Sequence, residues 1–340
     1  MNTVELPKQE FPTWDQFVKT QSDPVLTQNS QWPGEYFIVA VKNDAGRIMG
    51  GARVDIKNLW LGKKMWWIRS ITNYPACRRL ERQRLAGRQL PITNEIFKYI
   101  QMEAIKRNVV FVRIQSQQWS NETMENITPR FLHHIADPEH TLAVNLSRPE
   151  AELFDSMHHK TRYNIRLAEK AGITVQPGTI DDFFNLYQAT NQRKGIRGYS
   201  KEYVEKLAKL NDPVVANIMI AKQGSELLGA NFLIGFGATM FYVFGGSSDT
   251  KRELMAPHLL HWESIRRAKQ LGYLWYDMGG ISDTNPDWSG ITRFKRSFVS
   301  KQTGKEINAG KTRDLVISQW WYYVFAAIKR AFDLTNPKYE

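Results

Sequence analysis

A hairpin, a third strand, a helix and a fourth strand follow one another twice along this chain, and that repeat limits the fold more than any other feature. In the first pass YFIVAVK at 36–42 turns through NDAG into RIMGGARVDI; MWWIRSI at 65–71, a helix over roughly 92–107 and VVFVRIQ at 109–115 follow. In the second, ANIMIAK at 216–222 turns through QGSE into LLGANFLIGF, then come TMFYVFGG at 239–246, a helix over 254–271 and YLWYDMG at 273–279. A chain of 340 residues is long for one core and suits two. Two similar α/β domains are therefore expected.

Hairpin, strand, helix, strand is the core order of an acyltransferase-like mixed sheet, in which a splayed pair of central strands leaves a cleft for an acyl donor. Order alone also fits other α/β folds. The junction falls where DPEHTLAVNLSRPEAELFDSM passes from a strand into a new helix, with Ser147 as N-cap and Pro149 in the first turn. The expected division is 1–146, 147–313 and a C-terminal amphipathic helix over 314–340.

With 46 basic against 34 acidic side chains the formal charge is +12 and the pI near 9.6, which points to an anionic partner, while charge for solubility alone remains the plain alternative. Cys77 is the only cysteine, so no intramolecular disulfide and no cysteine zinc cluster can form, and a reducing compartment is expected. His133 with His134 and His158 with His159 are adjacent pairs, which on a helix do not share a face. No metal or organic cofactor is implied. MNTVELPKQEFPTWDQF does not read as a signal peptide, and no stretch approaches the roughly 20 apolar residues that span a bilayer.

Three stretches concentrate cations. In MHHKTRYNIRLAEKAGI at 157–173, Arg162, Arg166 and Lys170 are spaced by four and share a helix face, with Lys160 near the first turn. Such a row is either a seat for phosphates or a solvated helix face. ACRRLERQRLAGRQLP at 76–91 holds Arg78, Arg79, Arg82, Arg84 and Arg88, expected in a loop that is either free or in contact with a polyanion. The third, YDMGGISDTNPDWSGITRFKRSF at 276–298, ends a strand in two glycines and places Arg293, Phe294 and Lys295 after a polar loop.

KTRYNIRLAEKAGITV, YVFGGSS at 242–248, the AxxLLHWESIRRAKQLGY pattern at 256–273 and the 276–298 stretch together resemble the FemABX group of aminoacyl-tRNA-dependent peptidyltransferases. The absence of a coiled-coil arm makes the chain similar to the FemX-like branch. The resemblance is strong from about 140 to 300 and weak over the first hundred residues. It implies two tandem acyltransferase-like (GNAT-type) domains, an acceptor-side one and one for aminoacyl-tRNA and catalysis. It also implies transfer of an aminoacyl group from charged tRNA to the stem-peptide amine of a peptidoglycan precursor, UDP-linked or lipid-linked.

Attack of an amine on an aminoacyl ester passes through a tetrahedral oxyanion, and a fixed cation there lowers the barrier by several kcal/mol. Lys295 is the candidate; the resemblance also gives the Phe294–Lys295 pair contact with the tRNA end, where Phe294 can stack on a base. A surface lysine is the plain alternative. Tyr242 matches a tyrosine near the reacting centre, a donor or relay, whereas the next aromatic is Phe244, for which core packing is preferred. Asp277 either orients the amine or only caps the turn at Gly279 and Gly280. Tyr36 or Glu35 stands where the group has a phosphate-gripping lysine, Tyr199 stands near its arginine with Arg197 two residues earlier, and Gln115 replaces an aspartate. These departures leave the acceptor's headgroup open.

The stretch DLVISQWWYYVFAAIKRAFDL at 314–334 is dense in aromatics with a basic end. It suits either an interfacial helix on an anionic membrane surface or a helix packed on the second domain. The expected location is the cytoplasm, with contact at the inner face of the membrane as the open alternative. Two other classes of function stand beside the transferase: a coenzyme A-dependent N-acyltransferase, disfavoured because neither SSDTKRELMAP nor PACRRLERQ supplies a Q/RxxGxG/A loop, and a non-catalytic binder of nucleic acid or membrane.

Overall fold

The computed structural model describes residues 1–21, 25–73, 78–116 and 138–335, with the side chains of 73–91 and 332–335 left aside. Cys77, His133 and His134 lie outside the described residues, as do the side chains of Arg78, Arg79, Arg82, Arg84 and Arg88. The chain forms two compact units, 1–137 with 309–337, and 138–308.

The first unit opens with β1 (Asn2–Glu5), helix α1 (Phe11–Lys19), β2 (Glu35–Lys42), β3 (Ile48–Asn58), β4 (Lys64–Ile68) and the short β5 (Thr72–Asn73), followed by α2 (Arg78–Lys106) and β6 (Val109–Ser116). The second holds β7 (His140–Asn145), α3 (Glu150–Asp155), α4 (His159–Lys170), β8 (Thr174–Pro177), α5 (Ile180–Lys194), α6 (Lys201–Ala208), β9 (Val214–Gln223), β10 (Glu226–Phe236), β11 (Thr239–Ser247), α7 (Ala256–Gln270), β12 (Trp275–Ile281), α8 (Ser289–Arg296) and β13 (Gly304–Asn308). The chain then returns to the first unit as β14 (Lys311–Val316) and α9 (Gln319–Thr335).

The expected repeat is present, because both sheets are antiparallel except at one pair. In the order β1-β2-β3-β4-β6-β14 that pair is β4 with β6, joined through α2. In β13-β7-β12-β11-β10-β9-β8 it is β11 with β12, joined through α7. A parallel pair needs a crossover long enough to carry the chain back, and each helix supplies it.

The apolar faces of the strands dictate the cores. In the first unit Val39, Val54, Trp66 and Val112 pack under Ile96 and Ile100 of α2. In the second, Val144, Met240, Tyr276 and Met278 pack against Ile165 of α4 and Ile265 of α7. On the opposite face Phe183 of α5 meets Phe232 of β10 with ring centroids 5.4 Å apart.

The boundaries differ from the expectation in three places. β7 lies before residue 147, yet it belongs to the second sheet, where it pairs with both β12 and β13. Residues 311–313, expected in the second domain, and 314–316, expected in the C-terminal helix, instead form β14, which pairs with β6 of the first unit, Arg113 opposite Asp314. The C-terminal helix starts at Gln319, not 314, and packs on the first unit: Tyr322 sits against Phe111 at 5.1 Å, and its hydroxyl donates to Asp314 at 2.9 Å. Long-range backbone pairing decides these boundaries, and it leaves no local mark. The five arginines of 76–91 also differ, since α2 begins at Arg78 and puts them on a helix, with Pro91 inside it.

Candidate active site

β11 and β12 are paired only at Thr239–Trp275, Met240–Tyr276 and Phe241–Asp277. Beyond that point they diverge, which is the splay that the order of elements predicts. β12 carries a register shift between Asp277 and Gly280, and Gly279 takes φ +78°, a left-handed conformation open to glycine at little cost. The bulge turns the Gly280 carbonyl toward α8, where it accepts a 2.7 Å hydrogen bond from the Lys295 ammonium.

Lys295 is only 7% exposed, so it is not a surface lysine. Burial, opposed by the Asp277 charge and reinforced by that of Lys194, lowers its pKa from 10.5 to about 8. The Tyr242 ring centroid is 6.0 Å from its Nζ. Tyr242 Oη packs so close to Gly245 that a Cβ there would lie 2.0 Å from it, and burial pushes the phenol up to about 12. Tyr242 is thus a neutral donor at physiological pH. Asp277 accepts from the Gly279 amide at 2.6 Å and from Thr141 Oγ1 at 2.9 Å, which is the turn-capping role. Burial raises its pKa, and the charge it retains supports the Lys295 ammonium.

Phe294 precedes Lys295 on α8, and successive helical residues point about 100° apart. Lys295 reaches the sheet, whereas Phe294 lines an open groove of about 1150 Å³ within the second unit. Lys160, Thr161 and Asn164 of α4, His258 of α7, the loop over 282–286, and Gly290 and Arg293 of α8 form its other walls. The α4 N-terminus is tied to α8 by the His158 amide on the Ser297 carbonyl at 2.9 Å and by Thr161 Oγ1 on Ser297 Oγ at 2.8 Å. Helix N-terminus, Lys160 and Arg293 together make this end of the groove attractive to anions. Arg296 is committed to Asp283 and Glu306.

The cation row of α4 is divided. Arg162 donates to the carbonyls of Asp155 (2.8 Å) and Met157, closing the end of α3, and Arg166 lies over the Phe154 ring at 5.3 Å. Neither lines the groove. Arg197 is exposed, and Tyr199 stacks on Tyr203 at 4.4 Å and against Phe244 at 5.3 Å, so Phe244 belongs to an aromatic cluster. In the first unit the Tyr36 hydroxyl donates to the Ser30 carbonyl under the Arg53 guanidinium, 3.7 Å from the ring, and Gln115 donates to the Gly310 carbonyl at 3.2 Å.

Two residues escaped the sequence reading. His258 and His261 are three apart on α7 and share a face, a spacing visible in HLLH. His261 packs against Tyr242 (4.7 Å) and Phe294 (5.4 Å); burial and the nearby Lys295 charge lower its pKa to about 3, so it stays neutral. His258 meets Phe294 at 5.1 Å and Asn164 at 3.2 Å. The two rings form the wall between groove and ammonium. Among the described residues no group of three or more His, Cys, Asp or Glu stands where it could hold a metal ion.

The arrangement offers a desolvated ammonium at a strand cleft and a cationic groove on the far side of one phenylalanine. The sequence pattern of the FemAB family matches residues 127–222 and 211–304, more than half of the chain. The UDP-N-acetylmuramoylpentapeptide-lysine N(6)-alanyltransferase of Weissella viridescens is 27% identical over 180 residues, 51% of this chain and 53% of that protein. The lipid II:glycine glycyltransferase of Staphylococcus haemolyticus (strain JCSC1435) is 26% identical over 201 residues, 52% of this chain and 45% of the relative. The chain thus matches about half the length of these curated relatives. The crystal structure of FemX superposes with a TM-score of 0.73 at 17% identity, covering 96% of this chain and 100% of that one. A tandem GNAT protein from the clavulanic acid biosynthesis pathway gives 0.52 at 13% identity, covering 91% and 99%. The two similar mixed sheets are therefore the tandem GNAT-like fold, and the chain belongs to the FemAB family.

Proposed function

We propose that this protein transfers an aminoacyl group from an aminoacyl-tRNA to the stem-peptide amine of a peptidoglycan precursor, in the cytoplasm. The observation that carries the reading is the buried Lys295 ammonium at the mouth of the β11–β12 splay. In the reaction the acceptor nitrogen attacks the ester carbonyl carbon, the carbonyl oxygen becomes an oxyanion beside the Lys295 ammonium, the C–O bond to the ribose breaks, and the ribose hydroxyl leaves with the proton lost by the amine. An amide and free tRNA result. Lys160 and Arg293 suit the phosphates of the acceptor end, and Phe294 a terminal base.

A coenzyme A-dependent reaction on the same fold has less support. The segment from Ser248 to Met255 that enters α7 contains no glycine, and Lys251 and Met255 hold its left-handed positions at φ 51° and 58°. Backbone amides of such a loop are poorly suited to cradle a pyrophosphate.

The test is the product mass after incubation with total charged tRNA and both UDP-linked and lipid-linked precursors. A mass gain of one aminoacyl residue, absent from Lys295→Met, is expected. Binding of tRNA without any transfer, or turnover of acetyl-CoA in its place, would overturn the reading.

A further inference from the structure

The first unit carries an apolar surface that the transfer chemistry does not use. The 3-10 turn Trp60–Gly62 and helix α9 enclose a shallow groove whose floor and walls include Val110, Trp321, Phe325 and Ile328. The Trp60 and Phe325 rings are 5.6 Å apart, so turn and helix form one surface. Along it Trp60 is 48% exposed, Leu61 79% and Ile328 41%, and elsewhere on α9 Trp320 (73%) and Tyr323 (60%) are exposed as well. Scattered apolar residues on a surface need no explanation, but a contiguous group of this kind marks a contact.

Leu61 sharpens the point. It holds φ 56°, ψ 35°, the left-handed region that disfavours a branched side chain and welcomes glycine, while its side chain meets mostly solvent. Its side chain borders the groove and is otherwise in solvent.

The chemistry of the rim identifies the partner. Lys63 lines the groove and lies over Trp321 with Nζ 4.7 Å from the ring centroid, Lys64 next to it pairs with Glu35 at 3.8 Å, and Arg330 is exposed on α9. Tryptophan and tyrosine beside cations on a helix too short and too polar to cross a bilayer match the water–headgroup boundary of an anionic membrane. We propose that the Trp60–Gly62 turn and the exposed side of α9 dock the first unit on an anionic phospholipid surface, with Trp60 and Leu61 entering the acyl boundary and Lys63 and Arg330 facing the headgroup phosphates. This does not rest on the transfer reading: transfer to a soluble precursor can occur without docking, and docking without transfer.

The experiment is co-sedimentation of the full chain with vesicles of phosphatidylglycerol and phosphatidylcholine, and with phosphatidylcholine alone. Removing residues from Asp314 onward is unsuitable, because it takes half of β14 and the partner of buried Arg113. Two variants serve, Trp60→Ser with Leu61→Ser, and Leu61→Gly alone. Binding to the anionic vesicles that weakens with salt is expected, with a loss of about tenfold or more in the double variant. Leu61→Gly should melt no lower than wild type, since glycine relieves the strained φ, and still bind more weakly. Failure of wild type to sediment, equal binding by the variants, or a homodimer in solution that the double variant dissociates would each overturn the proposal.

Discussion

Lys295→Met removes the buried ammonium while keeping a side chain of similar length, and its effect on stability should depend on pH in a defined direction. The folded-state pKa of about 8 lies below the ordinary 10.5, so between those values the unfolded chain holds a proton that the folded chain has released. Stability of the wild type therefore rises with pH across that window. Linkage over the interval from about pH 7 to about pH 9.5 gives about 2 kcal/mol for this one group. Loss of the hydrogen bond to the Gly280 carbonyl costs about 1 kcal/mol at every pH and cancels in the comparison. Equilibrium urea denaturation of both proteins at both pH values isolates the effect, because every titrating group that the substitution leaves alone contributes equally to each. The variant's stability relative to wild type should be greater at the lower pH by about 2 kcal/mol, while transfer is lost at both. A difference that stays constant with pH would refute the desolvated ammonium and with it the proposed origin of catalysis.

Two further outcomes follow from the same geometry. Asp277→Asn removes the charge that raises the Lys295 pKa, so the alkaline limb of the transfer–pH profile should move below about 8; an unmoved limb would show that Asp277 only caps the turn. Asp314→Asn leaves Arg113 buried without its carboxylate and weakens the anchor of Tyr322. It should destabilise the first unit by about 3 kcal/mol in denaturant unfolding, and a loss below about 1 kcal/mol would mean that the pair contributes little.

The apolar and turn patterns that made the repeat legible are local: alternation within a strand and a short turn between two strands are properties of neighbouring residues. The order of elements in each repeat and the presence of both crossover helices followed from them. The phenylalanine–lysine pair was legible as chemistry from the family resemblance and from its place one polar loop after the two glycines that end β12. His258 and His261 were passed over although their spacing was in view, since nothing in the chain marked the face of α7 that they share as the wall behind Phe294. Arg162 carried the right spacing for a phosphate seat, yet its guanidinium closes the preceding helix, an outcome set by the angle between α3 and α4.

What the sequence by itself determined is the alternation of strands and helices, the basic character of the chain and the presence of a cation behind the strand mouth. Only the tertiary structure decided that β7 joins the second sheet and β14 the first, that Lys295 reaches the sheet while Phe294 on the same helix lines the groove, and that the ammonium is desolvated. The physical reason is the same in each case. Periodicity is written along the chain, whereas backbone pairing between distant strands, side-chain direction and the dielectric around a charge depend on residues that folding alone brings together.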